Sequence, residues 1–275
     1  MKHHTIGFIG AGNMARSLAG GLLSNAWSKD KLILSDPSPE QRAAVSASLG
    51  LTVFEKNTDV AARADVLVLA VKPQVLRATA QALAATVQAK QPLVVSIAAG
   101  IRADDIQRWL GGNLAVVRVM PNTPALVGSG ASGLFANSLA SDEQRDEAES
   151  ILRAVGTTAW LRDEALMDVV TAVSGSGPAY ILLVIEALEK AAIHHGLDPV
   201  TARLLAIETT YGAAKMALEG GEEPATLRAR VTSPGGTTER AIKVLEQDGL
   251  TKLFDDAVYA AIQRSQELAK LLGEK

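Results

Sequence analysis

The sequence has no cysteine, four histidines and few aromatic residues (4%). The missing cysteine excludes disulfides and thiol catalysis and fits a reducing cytoplasm, the expected location. Scarce aromatics and a formal net charge of −3 leave neither a basic patch nor a stacking platform, so nucleic acid is not expected as a partner. Long apolar runs are missing as well. The most apolar helical stretch, residues 180–193, is broken by Glu186, Glu189 and Lys190. It reads as too short and too charged to span a bilayer, and so as a buried or interface helix with no membrane partner. The apolar strand pattern begins within five residues of the N-terminus, without a signal-peptide layout. What is present, 275 residues of which 48% are hydrophobic, suits one or two globular domains with a sizeable core.

The first half alternates strand and helix. Ile6-Gly-Phe-Ile9 is a short apolar run. It is followed by Gly10-Ala11-Gly12-Asn13-Met14-Ala15 and by helical spacing at Leu18, Leu22 and Leu23. This is the G-x-G-x-x-A form of the dinucleotide fingerprint in its strand-turn-helix setting. Gly10 permits the tight turn, Gly12 lets a pyrophosphate approach, and Ala15 lets the helix pack close to the strand. The second strand, Lys31-Leu-Ile-Leu34, ends at Ser35-Asp36. Asp36 stands where an acidic residue bonds the adenosine ribose, or is a turn residue before Pro37. Ser38-Pro39-Glu40-Gln41 reads as a capping box that starts a helix. Strands follow at residues 65–71, 92–97 and 115–119, with helices at 78–87 and 103–110. This alternation predicts a parallel, doubly wound sheet of Rossmann type. Ligands bind such sheets at the carboxyl ends of the strands. Those ends carry Lys72-Pro73, Ala98-Ala99-Gly100 and Met120-Pro-Asn-Thr-Pro124. Lys72 pairs with phosphate there or is simply solvated, and the small residues admit a flat ring or pack tightly. Asn122 and Thr123 form a rigid polar turn. A Gly-rich strand at 128–136, a capping box at Ser141-Asp-Glu-Gln144 and a last strand at 157–161 complete this half.

Strand signals then vanish. The expected division is a dinucleotide-binding domain at 1–163 and an all-helical domain at 164–275. Ser174-Gly175-Ser176-Gly177-Pro178 interrupts a helix over 166–173. It is not a nucleophile elbow, because Val173 stands where glycine is needed and no strand precedes it. Helices are expected at 179–195, 200–218, 224–230, up to 244–246, and at 250–272. The first is apolar nearly all round, which suggests a subunit partner. His194 and His195 point about 100° apart on a helix and read as C-terminal cap residues rather than metal ligands. Gly212-Ala213-Ala214 is small enough for close helix contact. Between two helices lies Val231-Thr-Ser-Pro-Gly-Gly-Thr-Thr238. A turn rich in Gly, Ser and Thr before a helix offers unpaired N–H groups to a carboxylate or phosphate, or is an ordinary helix cap.

Six motifs carry a resemblance that covers essentially the whole chain. They are Phe8-Ile-Gly-Ala-Gly-Asn-Met14, Ala70-Val-Lys-Pro73, Ser96-Ile-Ala-Ala-Gly100, Met120-Pro-Asn-Thr-Pro124, Ala172-Val-Ser-Gly-Ser-Gly-Pro-Ala-Tyr180 and the 231–238 loop. The first is generic, whereas the last two in this order are highly specific. The chain resembles the pyrroline-5-carboxylate reductase family, enzymes of the last step of proline synthesis. The resemblance implies reduction of a cyclic imine acid to L-proline by a nicotinamide cofactor, on a homodimer that often assembles further into decamers. It also implies an active site between one subunit's cofactor domain and helical elements that include the partner's. By the same resemblance, Ile9, Gly10, Ala11, Gly12, Asn13 and Met14 hold the pyrophosphate. Ser35, Asp36, Asn57, Ala70, Val71, Lys72 and Pro73 line the cofactor edge, and Ile97, Ala98 and Ala99 face the nicotinamide. Ser233 and the backbone N–H groups around Gly235, Gly236 and Thr237 hold the substrate carboxylate. The Thr238 hydroxyl contacts the ring nitrogen as the catalytic residue, and no metal is implied. The family leans toward NADPH, while Asp36 leans toward NADH. NADPH is the expectation, with NADH as the alternative. The rival readings are a related imine or β-hydroxyacid reductase, which would lack the Ser-Pro-Gly-Gly-Thr-Thr loop, and a non-catalytic dinucleotide-sensing protein.

Overall fold

A computed structural model of the chain describes residues 4–273. The chain divides into two compact units, Met1–Ser176 with Ala261–Lys275, and Gly177–Ala260. In the first unit the order is β1 (Ile6–Ile9), α1 (Asn13–Ser24), β2 (Leu32–Ser35), α2 (Pro39–Leu49), β3 (Thr52–Phe54), α3 (Asn57–Ala61), β4 (Val66–Leu69), α4 (Pro73–Lys90), β5 (Leu93–Ser96), α5 (Ala103–Trp109), β6 (Val116–Met120), β7 (Gly130–Ala136), α6 (Asp142–Arg153), β8 (Gly156–Trp160) and α7 (Leu166–Val170). The strands form one sheet in the order β3-β2-β1-β4-β5-β6-β7-β8. β1, β2, β4 and β5 are buried along their whole length, as unbroken apolar runs covered on both faces should be. One face packs Leu18, Leu22, Ile151 and Leu152 over Phe8, Leu34 and Val68. The other packs Leu76, Leu83 and Ile106 over Ile9, Leu67 and Val94. Gly7 sets how closely α3 lies on β1, since a Cβ there would meet Val60 Cγ1 at 2.5 Å.

The structure departs from the sequence reading in four places. β3 and α3 are additional elements, too short for periodicity to reveal. α4 begins at Pro73, which serves as the first helical residue as well as the strand stop. β7 runs antiparallel to β6, inside a sheet expected to be parallel. The connection over residues 121–129 is a single 3₁₀ turn, Thr123–Val127, and a parallel return needs a crossover of about a dozen residues or more. Finally, Thr171–Gly175 is a π-helical turn rather than a break, and Gly175 lies so close to Met120 that a Cβ would meet its Cε at 2.5 Å. Helix therefore runs on from Leu166 to His194, a span long and apolar enough to cross a membrane by length and composition alone, unlike the shorter segment expected.

Side-chain bonds explain why residues 164–176 group with the sheet. The Glu164 carboxylate accepts from Ala103 N–H at 2.8 Å and from the buried Arg118 at 3.0 Å. Val170 packs on Gly133 of β7. From the chain's end, the Ser265 hydroxyl donates to Asp168 at 2.6 Å, and Leu272 packs against the second apolar face.

The second unit is helical. α8 (Gly177–His194) and α9 (Pro199–Glu219) pack as a hairpin, joined by an Arg203–Glu189 ion pair at 3.0 Å. Asp198 caps α9 by accepting from Val200 and Thr201, with Pro199 at the first helical position. α10 (Pro224–Arg230), α11 (Thr237–Gln247) and the start of α12 (Leu250–Gly273) follow. α8 has no buried residue, and α9 buries only Ala202 and Ala206. Leu182, Leu183, Leu204, Leu205 and Tyr211 are at least half exposed.

The sheet's outer strand, β8, is braced by one carboxylate. Glu149 on α6 accepts from Trp160 Nε1 at 2.8 Å, Thr158 Oγ1 at 2.9 Å and Arg153 Nε at 2.8 Å. The Trp160 bond is the foremost cause that holds its carboxyl below the ordinary 4.5, with Arg153 and Thr158 adding to it against desolvation. A depressed carboxyl stabilises fully above its unfolded value and loses that contribution as pH falls through the folded one. Glu149→Gln is therefore expected to lower unfolding free energy by about 1–3 kcal/mol at neutral pH. In urea titrations the gap between variant and parent should narrow on acidification below pH 4.5. An equal gap at both pH values would remove Glu149 from the acid limb.

Candidate functional site

The carboxyl ends of β1, β2, β4 and β5 point the same way, and β1 lies between β2 and β4. A crevice at such a reversal of strand order is where doubly wound sheets take ligands. Gly10 turns the chain there with φ +99°, and a Cβ would come 2.8 Å from the Ala70 carbonyl. Its N–H donates to Ser35 O at 2.8 Å, and Ala70 N–H donates back to Ile9 O at 2.9 Å. Ala11 N–H donates to Asp36 Oδ2 at 3.0 Å. Gly12 is the N-cap of α1 without a side-chain cap bond, and nothing lies within 4 Å of where its Cβ would project. No side chain at Gly12 covers the start of α1, where the first-turn amides of Asn13, Met14 and Ala15 have no intrahelical partner. That cradle fits a pyrophosphate.

The remaining expected cofactor residues lie at or just beyond the carboxyl ends of β2, β3, β4 and β5. Ser35 is buried, and its hydroxyl donates to Asn57 Oδ1 at 2.9 Å, joining the end of β2 to the start of α3. Ala70, Val71, Lys72 and Pro73 lead from β4 into α4. Lys72 is the N-cap, and its ammonium has no ion-pair partner among the described residues. Ile97, Ala98 and Ala99 leave β5, with Ile97 N–H bonded to Leu69 O at 3.2 Å and Ala98 buried. Beside them opens a cavity of about 250 Å³, lined by Pro73, Ala99, Gly100, Thr171, Ser176 and Ser265, among others. Asn122 holds the π-turn against the end of β6. Its Nδ2 donates to Ser174 O at 3.2 Å, while its Oδ1 accepts from Ala131 N–H at 2.9 Å. Thr171 escaped the sequence reading as a lining residue, whereas Ser176 lies in the 174–178 run that it read as bringing two helices together or facing a ligand. The Ser-Gly-Ser-Gly run marks Ser176, while Thr171 donates its hydroxyl to Met167 O at 2.8 Å within the helix.

In the second unit, the 231–238 loop joins α10 to α11. Gly235 has φ +74°, and its N–H donates to Glu239 Oε2 at 2.7 Å. Gly236 N–H donates to Ser233 O at 3.0 Å. Two of the three amides expected for a carboxylate are thus engaged within the loop, and Thr237 is the one left. Gly236 caps α11 without a side-chain bond. The amides of Thr237, Thr238 and Glu239 therefore form the uncapped, electropositive helix start. His194 and His195 stack edge to face at 5.1 Å, and no group of three or more His, Cys, Asp or Glu able to hold a metal occurs among the described residues.

Comparison with known proteins agrees with both halves. Residues 164–268 match the family model described as pyrroline-5-carboxylate reductase dimerisation, and residues 5–100 match one described as NADP oxidoreductase, coenzyme F420-dependent. The pyrroline-5-carboxylate reductase of Pseudomonas aeruginosa is 51% identical over 274 residues, covering 100% of both chains. That of Escherichia coli is 37% identical, covering 96% of this chain and 98% of its own. Among solved structures, a pyrroline-5-carboxylate reductase from Coxiella burnetii superposes with a TM-score of 0.93 at 44% identity, covering 96% of this chain and 98% of its own. The Plasmodium falciparum enzyme with NADP bound superposes at 0.86 with 28% identity, covering 98% of this chain and 99% of its own. With relatives of this identity matched along its full length, the chain belongs to the pyrroline-5-carboxylate reductase family.

Proposed function

We propose that the chain reduces 1-pyrroline-5-carboxylate to L-proline with NADPH, through the residues named above. The observation that carries this reading is a pair of helix starts in one chain, at Gly12 and at Gly236, whose N-cap is a glycine with no side chain to bond the first-turn amides. Each leaves first-turn amides free for an anion, and the reaction brings two anionic groups to be held, the cofactor pyrophosphate and the substrate carboxylate. When bound, the nicotinamide supplies the hydride. Ile9 to Met14 receive the pyrophosphate. Ser35, Asp36, Asn57 and Ala70 to Pro73 border the cofactor, and Ile97 to Ala99 give the ring a surface of small side chains. Ser233 shapes the loop by accepting from Gly236, Gly235 supplies its positive φ, and the amides of Thr237 and Thr238 take the carboxylate. The Thr238 hydroxyl meets the ring nitrogen and handles its proton. A protonated C=N is already electrophilic, so positioning supplies most of the rate.

The functional boundary is proposed at 163/164, where the matched dimerisation segment begins, with 1–163 holding cofactor and 164–275 pairing subunits and presenting substrate. The exposed leucines of α8 and α9 are proposed to meet a second copy of the chain rather than lipid, and dimers to assemble further toward decamers. A cytoplasmic setting suits a chain without cysteine.

Purified protein is expected to oxidise NADPH when given racemic pyrroline-5-carboxylate, with L-proline as the product in chiral analysis. Folded protein that binds dinucleotide yet oxidises neither NADPH nor NADH with this substrate would send the reading back to another imine or to cofactor sensing. Thr238→Ala should lower kcat on the order of 10²-fold with cofactor affinity retained; steady-state kinetics matching the parent would remove Thr238 from the reaction. Leu182→Glu, at a side chain 63% exposed on α8, should reduce the mass measured by light scattering to that of a monomer. An unchanged assembly would place the interface elsewhere.

A further inference from the structure

The turn after β2 distributes its charges differently from what its sequence suggests. Both Asp36 carboxylate oxygens are engaged by backbone amides. Oδ2 accepts from Ala11 N–H at 3.0 Å, and Oδ1 accepts from Ser38 N–H at 2.9 Å. The carboxylate therefore clamps the glycine loop to the β2 end and holds the following turn. Over the same turn lies Arg42, in the first turns of α2. Its Nη1 donates to Asp36 O and to Pro37 O, each at 2.9 Å. Its Nη2 stands 3.9 Å from the exposed Glu55 carboxylate, a long surface contact of little strength. The guanidinium is thus pinned by one nitrogen, and its other N–H donors remain for a ligand. The end of the second strand is where dinucleotide folds meet the adenosine ribose, and there an arginine accommodates a 2′-phosphate. A planar fork held in place suits phosphate better than a mobile ammonium does.

We propose that Arg42 is the residue that selects for the 2′-phosphate of the cofactor, with the Asp36 main-chain carbonyl bracing its guanidinium. This rests on the dinucleotide reading of the crevice and deepens it.

The test is calorimetric binding of the two adenylate halves, 2′,5′-ADP and 5′-AMP, to the intact protein, so that it needs no turnover. The parent should prefer 2′,5′-ADP, and Arg42→Gln should weaken that ligand roughly tenfold or more while 5′-AMP changes by less than about twofold. Arg42→Lys, which keeps the charge and loses the fork, should fall between them. In steady state, Arg42→Gln should raise KM for NADPH and leave its kcat in place. Equal weakening of both adenylates would make Arg42 a structural strut only and overturn the proposal, as would unchanged 2′,5′-ADP affinity. Binding of neither adenylate by the folded parent would overturn the dinucleotide reading itself, and this proposal with it.

Discussion

The cofactor half depends on one exchange of backbone hydrogen bonds, between the turn at Gly10 and the end of β2. Gly10 N–H meets Ser35 O, and Ala11 N–H meets Asp36. With those two donors satisfied, the chain enters α1 with the next amides still unpaired. Buried backbone donors ordinarily find partners within the protein, so a patch of unpaired ones requires its neighbours to be fully bonded first. The 231–238 loop follows the same logic with other residues. Ser233 and Glu239 take the amides of Gly236 and Gly235, and the donors beyond them are left at the head of α11.

Glycine's part in this is partly conformational and partly a matter of distance. At Gly10 and Gly235 the backbone has positive φ, which other residues adopt only with strain. At Gly7, Gly133 and Gly175 the angle is ordinary, and the missing Cβ sets how closely a neighbour lies. Gly175 and the Asn122 amide together fix the π-turn against the end of β6. Such turns, with one residue more than the helix needs, recur where helices are bent to serve a ligand. Here the insertion sits beside the cavity that Ala99 and Gly100 border.

Much of this was legible in the sequence. The glycine fingerprint, the apolar strands and the Ser141 capping box each depend on residues close together in the chain, and each appears where local chemistry puts it. β7's direction was hidden because it follows from the length of a connection, whereas its side-chain alternation is the same either way. β3 and α3 were too short for a period to show. Asp36 was legible by position only. Its position announces a ribose ligand, yet which way a carboxylate turns depends on amides supplied by Ala11, distant in sequence. Likewise Gly235 and Gly236 advertise free amides, and only the fold shows Glu239 and Ser233 engaging them.

The second unit leaves a core half made. A helical hairpin that buries little beyond Ala202 and Ala206 on its own has its remaining apolar area available only through association. In the assembly proposed above, binding of a second copy is linked to folding, and the free energy of the folded state includes a term in protomer concentration. Heat or denaturant resistance in such a chain is a property of how much of it is present. Sparse protein, as at the onset of synthesis or after extreme dilution, would be the least stable, and a substitution on a half-exposed α8 leucine would lower stability through the lost partner as well as through its own protomer.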